Sequence, residues 1–474
     1  MLKRTSRKVL ACTFLLAACV SCDQSKPAGV ERLNYMLTTP DKSKLLTLGV
    51  LEKSNRPNDS LVTIGVNGDS VFQQMDGFGY TLTGGSARHI SQMDSMARKR
   101  LLTNLFHTDS LGIGVSYLRV SIGASDLDPK PFSYNDLPIG EEDFDLKNFS
   151  IDQDRTHLIP VLKQILEINP ELKIMGSPWS APAWMKDNED TRGGSLKPEC
   201  YESYAQYFIK YIEAMKAEGI PIDAITIQNE PLHPGNNPSM FMPAEQQADF
   251  VKNHLGPAFE KRGVATKIIA YDHNADRPDY PISIYEDSLA SQYIDGAAFH
   301  LYNGDIDTLS SLHEAYPDKN LYFTEQWVGA PGDFANDFKW HTREVVIGGA
   351  RNWCKTILEW NLSSNPELKP HTDRGGCDRC LGAVTIEGNE VVNNPAYYVI
   401  AHASKYVKAG AHRVHSNEVG GLPNVAFKNE SNDLVLIVLN DGEEEHEFNI
   451  EIEKNRFGAS LAAGAVATYV YKFN

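Results

Sequence analysis

Outside its N-terminus this 474-residue sequence has no run of about twenty apolar residues, so nothing in the body of the chain reads as a helical membrane span. Positive charge is also short. Lysine and arginine number 45 against 62 acidic residues, a formal net charge of −17, which makes phosphate backbones and anionic lipid poor partners and argues against nucleic-acid binding. Cysteine is scarce: seven in all, which is no disulfide scaffold. Cys377-Asp378-Arg379-Cys380 has the spacing of half a zinc site, but no second Cys/His pair at ligand spacing accompanies it. A local disulfide between Cys377 and Cys380 in an exported loop is the preferred reading, ahead of free thiols. No internal repeat or low-complexity block is present.

What remains is ordinary for a folded soluble chain: 42% hydrophobic and 23% charged residues, with length for one large domain and a smaller one. The first residues stand apart. Lys3, Arg4, Arg7 and Lys8 precede a short apolar run over 9–18, the pattern of a signal peptide spanning 1–18. Leu16-Ala17-Ala18-Cys19 resembles the bacterial lipobox, in which the cysteine is lipidated and becomes the first mature residue. Cys22 is a weaker alternative anchor, and an ordinary secretory signal is the plainer one. The expectation is an exported chain tied to the bacterial cell envelope through Cys19 and a tether over 19–32, with no other membrane contact. Losing the four positive charges of the signal takes the formal charge to −21, which suits a neutral glycan as substrate.

Short β-rich runs then alternate with amphipathic stretches, as in βα units around a parallel sheet. Candidate strands fall at 75–81, 116–122, 173–177, 224–228, 266–271, 297–301, 320–324 and 355–360. Eight is the number that closes a (β/α)8 TIM barrel. Helical patterns lie between them at 86–106, 155–168, 200–218, 244–261, 284–293, 309–316 and 337–348. The interval 125–152, rich in Pro, Asp and Gly, reads as a loop over the barrel's active face. Past Val425 the chain turns to short strands, and a strand-like segment at 61–72 precedes the first barrel strand. The expected class is α/β: a catalytic barrel over 75–408 with a side β-sandwich formed from both chain ends, 33–74 and 409–474.

Reacting groups in such a barrel sit at the C-terminal ends of the strands. Polar residues ending apolar runs are Arg119, Trp179, Asn229, Glu230, Asp272, His273, His300, Tyr302, Glu325, Trp327 and Trp360. Ala224-Ile225-Thr226-Ile227-Gln228-Asn229-Glu230-Pro231 puts a carboxyl at the mouth of strand four, and Leu321-Tyr322-Phe323-Thr324-Glu325 puts another at strand seven. Two carboxyls facing each other can flank a glycosidic bond, one protonating the leaving oxygen and one attacking the anomeric carbon. Arg119 could hold the nucleophile ionised, with a structural ion pair as its competing role. Asn229 is placed for the hydroxyl beside the reacting carbon. Trp179, Trp184, Trp327 and Trp360 could face pyranose rings, Trp184 and Trp327 being equally suited to the core. Histidines placed like His273 and His300 also occur in metal-dependent barrels, but strand one, Gly77-Phe78-Gly79-Tyr80, has no His-x-His, and no metal is expected.

The motifs taken together resemble the glucosylceramidase-like retaining glycosidases, glycoside hydrolase family thirty. They are Asp76-Gly77-Phe78-Gly79, Tyr117-Leu118-Arg119-Val120, 177–186, Gly194-Ser195-Leu196, Gln228-Asn229-Glu230-Pro231, Phe299-His300-Leu301-Tyr302, Phe323-Thr324-Glu325 and Glu359-Trp360-Asn361-Leu362. The resemblance covers nearly the whole mature chain. It implies retention of configuration without a cofactor, Glu230 as acid/base, Glu325 as nucleophile, Asn229 on the 2-hydroxyl and Arg119 as the nucleophile's partner. Asp126, Trp179, His300, Tyr302 and Trp360 become glucose-subsite residues, Asp126 on the resemblance alone. Gln326-Trp327 after the nucleophile, and the loop 375–382, depart from the glucosylceramidases and point to the microbial branch that cleaves β-1,6-glucan. Glucosylceramidase or broad β-glucosidase/β-xylosidase activity is the alternative. A non-catalytic glycan-binding surface lipoprotein is the rival of another class, although a pure binder has no need of both glutamates.

Overall fold

The computed structural model describes residues 32–53, 58–109 and 111–473, so the expected signal peptide and Cys19 lie outside the described residues. Among those residues no helix is long and apolar enough to cross a membrane.

Eight parallel strands close into a barrel. They are β1 (Gly77–Thr81), β2 (Tyr117–Ser121), β3 (Lys173–Ser177), β4 (Ala224–Thr226), β5 (Lys267–Asn274), β6 (Ile294–His300), β7 (Asn320–Glu325) and β8 (Cys354–Asn361). Each lies beside its chain neighbours, and β8 returns to β1. β1 is buried throughout and crowded. A Cβ on Gly79 would sit 1.9 Å from the carbonyl oxygen of Tyr117, so only glycine allows β1 and β2 to pair there.

Side chains alternate along a strand, so residues two apart line one face. Tyr117, Met175, Ala224, Ile269, Ala298, Tyr322 and Leu358 form one apolar layer inside the barrel. Two residues further on, Arg119, Ser177, Thr226, His300, Thr324 and Trp360 make the next layer, which is polar apart from the indole. On β5 the expected residue would be Tyr271. Instead the register slips between Tyr271 and His273 against β6, and both Tyr271 and Asp272 take positive φ, 71° and 75°. This bulge puts Asp272 into the polar layer. The amide of Tyr271 donates instead to Gln247 Oε1 at 2.9 Å. The register also slips between Phe323 and Glu325 on β7 and between Glu359 and Asn361 on β8. All three irregularities sit at the barrel mouth, where bulges re-aim side chains.

Several helices differ from the sequence pattern. The stretch expected as one helix over 86–106 is two, Gly84–Gln92 and Ser95–Phe106, because Asp94 caps the second through the amides of Met96 and Ala97 at 2.9 and 2.8 Å. The stretches 244–261 and 337–348 are helical, but each contains a widened π segment, Val251–Leu255 and Thr342–Gly348. The pattern at 284–293 becomes Asp279–Glu286 and Ser288–Ser291. The helix Pro395–Ser404 has no counterpart among the expected elements; it is buried along its whole length and so lacks the polar stripe that marks a surface helix.

A nine-stranded sheet stands beside the barrel, in the order Thr47–Glu52, Arg32–Thr38, Val466–Tyr471, Leu434–Leu439, Asn424–Lys428, His412–Ser416, Thr63–Gln74, His446–Ile452, Asn455–Leu461. Both chain ends contribute, Arg32–Thr38 pairing directly with Val466–Tyr471. Val425, Phe427, Val435, Ile437, Leu439 and Val466 of this sheet belong to the same apolar core as the barrel. His402, on Pro395–Ser404, joins the two layers. Thr468 Oγ1 donates to the His402 carbonyl at 2.7 Å, so it accepts from Nδ1 at 2.9 Å, and Thr38 Oγ1 lies 2.9 Å from Nε2. Burial pushes this imidazole down to about 3, which keeps it neutral.

Candidate active site

Arg119 stands at the centre of the barrel mouth, fully buried. Its Nε donates to Ser177 Oγ at 3.0 Å, Nη1 to Glu325 Oε2 at 2.6 Å, and Nη2 to Asn229 Oδ1 at 2.6 Å and Asp272 Oδ2 at 2.7 Å. Five strands, β2, β3, β4, β5 and β7, thus carry or lead into this guanidinium and its partners. Its planar fork suits this, where a lysine could not. The face of the guanidinium packs on Trp179 at 4.7 Å, and Trp179 stacks on Trp360 with ring centroids 5.3 Å apart.

Asp272 is the second hub. Besides Arg119 it accepts from Thr226 Oγ1 at 2.7 Å and Thr324 Oγ1 at 2.6 Å, and it meets His300 Nε2 at 3.2 Å. Burial alone would raise this carboxyl, but Arg119, His300 and Thr324 hold it well below the usual range. It is therefore a fixed negative charge beneath the two glutamates.

Glu230 lies in the turn after β4 at φ 47°, a left-handed conformation that costs a non-glycine residue about 1–2 kcal/mol. Neighbouring backbone holds it there: its amide donates to Asp272 O at 2.9 Å, and its carbonyl accepts from the His233 amide at 2.8 Å. Glu325 ends β7. Oxygens of Glu230, Glu325 and one nitrogen of His300 all lie within 4.8 Å of one another. That is closer than the roughly 6.5–9.5 Å of inverting glycosidases and in keeping with the ~5 Å of retaining ones. A cation is poorly suited to these three ligands, because Arg119 already sits on Glu325.

Burial opposes a positive His300, yet Glu325, Asp272 and Glu230 together lift it to about 9. Burial raises both glutamates. His300, by hydrogen bond and by charge, draws Glu230 down, and His300 and Arg119 pull on Glu325 against burial and the like charge of Glu230. Glu230, His300 and Glu325 share protons as one system. Donors occupy both oxygens of Glu325, Arg119 on Oε2 and Tyr302 Oη on Oε1 at 2.9 Å, and on that ground we place the negative charge there. Glu230 Oε2 accepts from Asn236 at 2.9 Å, but Oε1 faces His300 Nδ1 at 3.4 Å, a nitrogen able to give or take a proton. One proton between Glu230 and His300 makes Glu230 either carboxylate or acid without change in net charge.

The cleft above, about 360 Å³, is lined by Asp126, Trp179, Glu230, Tyr302, Glu325, Trp327 and Trp360, with His233, Asn236, His273, Asn274, Cys377 and Cys380. Arg119 and His300 lie behind this wall against the carboxyls, and Asn229 is buried beside Arg119. Trp184 is elsewhere, in the core, its Nε1 donating to Asn135 Oδ1 at 2.8 Å. Cys377 and Cys380 are bonded, with Cα atoms 5.7 Å apart. The Cys377 amide donates to Asp126 Oδ2 at 3.2 Å, and burial with the charges of Glu325 and Glu230 pushes Asp126 up to about 8. A larger depression, about 520 Å³, opens at the other end of the barrel, where Lys173 and Asp76 are paired at 2.7 Å.

Asp272, Ser177, Thr226 and Thr324 have no role assigned from sequence. Thr226 and Ser177 obey the two-residue alternation and can be found by extending it from Ala224 and Met175. Asp272 is named among the strand-end residues, but the alternation would not put it in this layer, because the bulge breaks it.

Residues 75–407 match the description "Glycosyl hydrolase family 30 TIM-barrel domain" and 410–469 match "Glycosyl hydrolase family 30 beta sandwich domain". An endo-1,6-β-D-glucanase of Aspergillus fumigatus is 34% identical over 394 residues, 78% of each chain. The lysosomal acid glucosylceramidase of Mus musculus is 27% identical, over 95% of this chain and 92% of its own. A solved endo-β1,6-glucanase superposes with a TM-score of 0.86 at 35% identity, covering 93% of this chain and 100% of that one.

Proposed function

Since this chain belongs to glycosyl hydrolase family 30, we propose that it cleaves β-1,6-linked glucan, with Glu230 as acid/base and Glu325 as nucleophile. It is a retaining glycoside hydrolase of β-glucosidic bonds. The observation that carries the catalytic reading is the approach of the two carboxyls within 4.8 Å, with donors on both oxygens of Glu325. In the first step Glu325 Oε1 or Oε2 attacks the anomeric carbon as the bond to the leaving oxygen breaks, and that oxygen takes the proton of Glu230. In the second, Glu230 removes a proton from water, which displaces Glu325 with a second inversion and so restores the configuration.

Arg119 supports this by favouring the carboxylate of Glu325 and by turning the Asn229 amide. With Oδ1 held by Arg119, Nδ2 is the end left for the sugar's 2-hydroxyl. Asp126, Trp179 and Trp360 hold the glucose that is attacked, and Trp327 and Tyr302 border it. The β-1,6 linkage is favoured by the likeness to endo-1,6-β-D-glucanases at 33–35% identity, against 27% for the glucosylceramidase of mouse. Incubation with β-1,6-glucan, β-1,3-glucan and glucosylceramide is expected to release sugar from the first far faster than from the others, as short oligosaccharides. Release of glucose from glucosylceramide at a comparable rate would overturn the linkage.

Export on a lipid anchor at Cys19 is proposed as well, from the Leu16-Ala17-Ala18-Cys19 motif behind a basic, apolar leader. Labelled palmitate should enter the protein in bacteria and fail to enter the Cys19→Ala variant; equal labelling of both would refute the anchor.

A further inference from the structure

The two glutamates divide the barrel mouth into unlike halves. Asp126, Trp179 and Trp360 line one, with two indoles stacked face to face. His273 and Asn274 of β5 and His233 of the loop after β4 line the other, beyond Glu230. The first half is where the glucose is held. The second is polar, and one of its groups is unsatisfied. His273 is only 9% exposed and its Nδ1 has no hydrogen-bond partner. Its aromatic neighbours offer none: Tyr271 and His300 lie 5.9 and 6.2 Å away between ring centroids. Nδ1 is closed to solvent and unpaired, which is unfavourable, while the ring itself lines the cleft, so its other nitrogen, Nε2, is the one a group entering the cleft can reach.

The chemistry of that group can be read from the wall. Burial brings His273 down to about 4 against the pull of Glu230, so the ring is neutral and its Nε2 is a donor in one tautomer and an acceptor in the other. A hydroxyl has the same two capacities. The Asn274 Oδ1 is held by the Tyr302 amide at 3.1 Å, so its Nδ2 is the end left to donate. An alkyl chain would leave these groups unpaired and exclude their water, which a polar pocket penalises far more than it penalises a missing methylene.

We propose that His273, with Asn274 and His233, forms the leaving-group subsite and selects a hydroxyl-bearing sugar there, an assignment that rests on the reading of Glu230 as acid/base. His273 is a specificity residue in this scheme. By microscopic reversibility the same subsite receives the acceptor when the glycosyl-enzyme is transferred to a sugar instead of to water.

The test uses the whole protein and two substrates, a β-1,6-linked glucose trisaccharide and an aryl β-glucoside whose leaving group has no sugar hydroxyls. His273→Ala should lower kcat/KM on the trisaccharide by roughly 10- to 100-fold and on the aryl glucoside by less than about 3-fold. With the aryl glucoside as donor and gentiobiose as acceptor, the ratio of transfer to hydrolysis should fall about tenfold, and His273→Gln, which keeps a donor and an acceptor, should recover part of it. That ratio does not depend on the fraction of protein correctly folded. Equal losses on both substrates with an unchanged transfer ratio would show His273 to be structural and overturn the subsite. A wild-type protein that hydrolyses neither substrate would overturn the catalytic reading itself.

Discussion

Glu325→Gln is expected to lower kcat on β-1,6-glucan by ~10⁴-fold or more, because the variant has no carboxylate to form the covalent intermediate. The substitution is close to isosteric and should fold. Arg119, on losing the charge of Glu325, still has Asp272 at 2.7 Å, so no unpaired buried guanidinium remains to destabilise the barrel. Thermal unfolding close to that of the wild type, measured alongside turnover, separates lost chemistry from lost structure. A residual rate within about 100-fold of the wild type would remove Glu325 from the nucleophile's role. So would a slow-turnover 2-fluoro-glucoside that labelled some other residue of the wild-type protein.

The second large effect is expected at Glu230. Replacement by alanine should reduce glucan hydrolysis by roughly 10²- to 10⁴-fold, the range typical for loss of a general acid/base. The loss should depend on the substrate. A dinitrophenyl glucoside has a leaving group that needs no proton, so Glu230→Ala should still give a burst equal to the enzyme present, followed by slow release, because water then lacks its base. Azide, a nucleophile that needs no deprotonation, should speed that release and yield the β-glucosyl azide. If the burst vanishes as it does in Glu325→Gln, or the azide product is the α-anomer, the two roles have been wrongly assigned. His300, 3.4 Å from Glu230 Oε1, cannot replace it, since Asp272 holds the ring back in the polar layer at 3.2 Å.

The barrel is legible in the sequence because its signals are local. Each strand is a short apolar run; the expected 173–177 matches Lys173–Ser177, and the expected 320–324 falls one residue short of Asn320–Glu325. The less accurate boundaries have particular causes. β4 stops at Thr226 because Asn229 and Glu230 are already in a turn tied to Pro178 and Asp272. The break at Met93–Asp94 inside 86–106 is signalled only by a capping aspartate, set within a continuous amphipathic pattern that masks it. Pro395–Ser404 leaves no such trace, because a helix buried on all sides has no polar face to reveal its period.

The site divides in the same way. Glu230, Glu325, Arg119 and the tryptophans can be named because each ends or follows an apolar run, and residue type with strand position is written in the sequence. Trp184 shows the limit of that approach: it shares a motif with Trp179 yet lies in the core, since position within a loop says nothing of direction. His273 is visible at a strand end, but only the structure shows that its Nδ1 is buried without a partner beside the cleft.

The sequence by itself thus determined the strand count, the two carboxyls and the rungs they stand on, since these follow from the alternation of apolar residues along each strand. Tertiary structure alone decided what holds them. Asp272 reaches the polar layer through a bulge in β5, and Arg119 meets partners from four other strands only after the sheet has closed on itself. Closure and a one-residue slip in register depend on how all eight strands pair, and no local stretch of sequence records that.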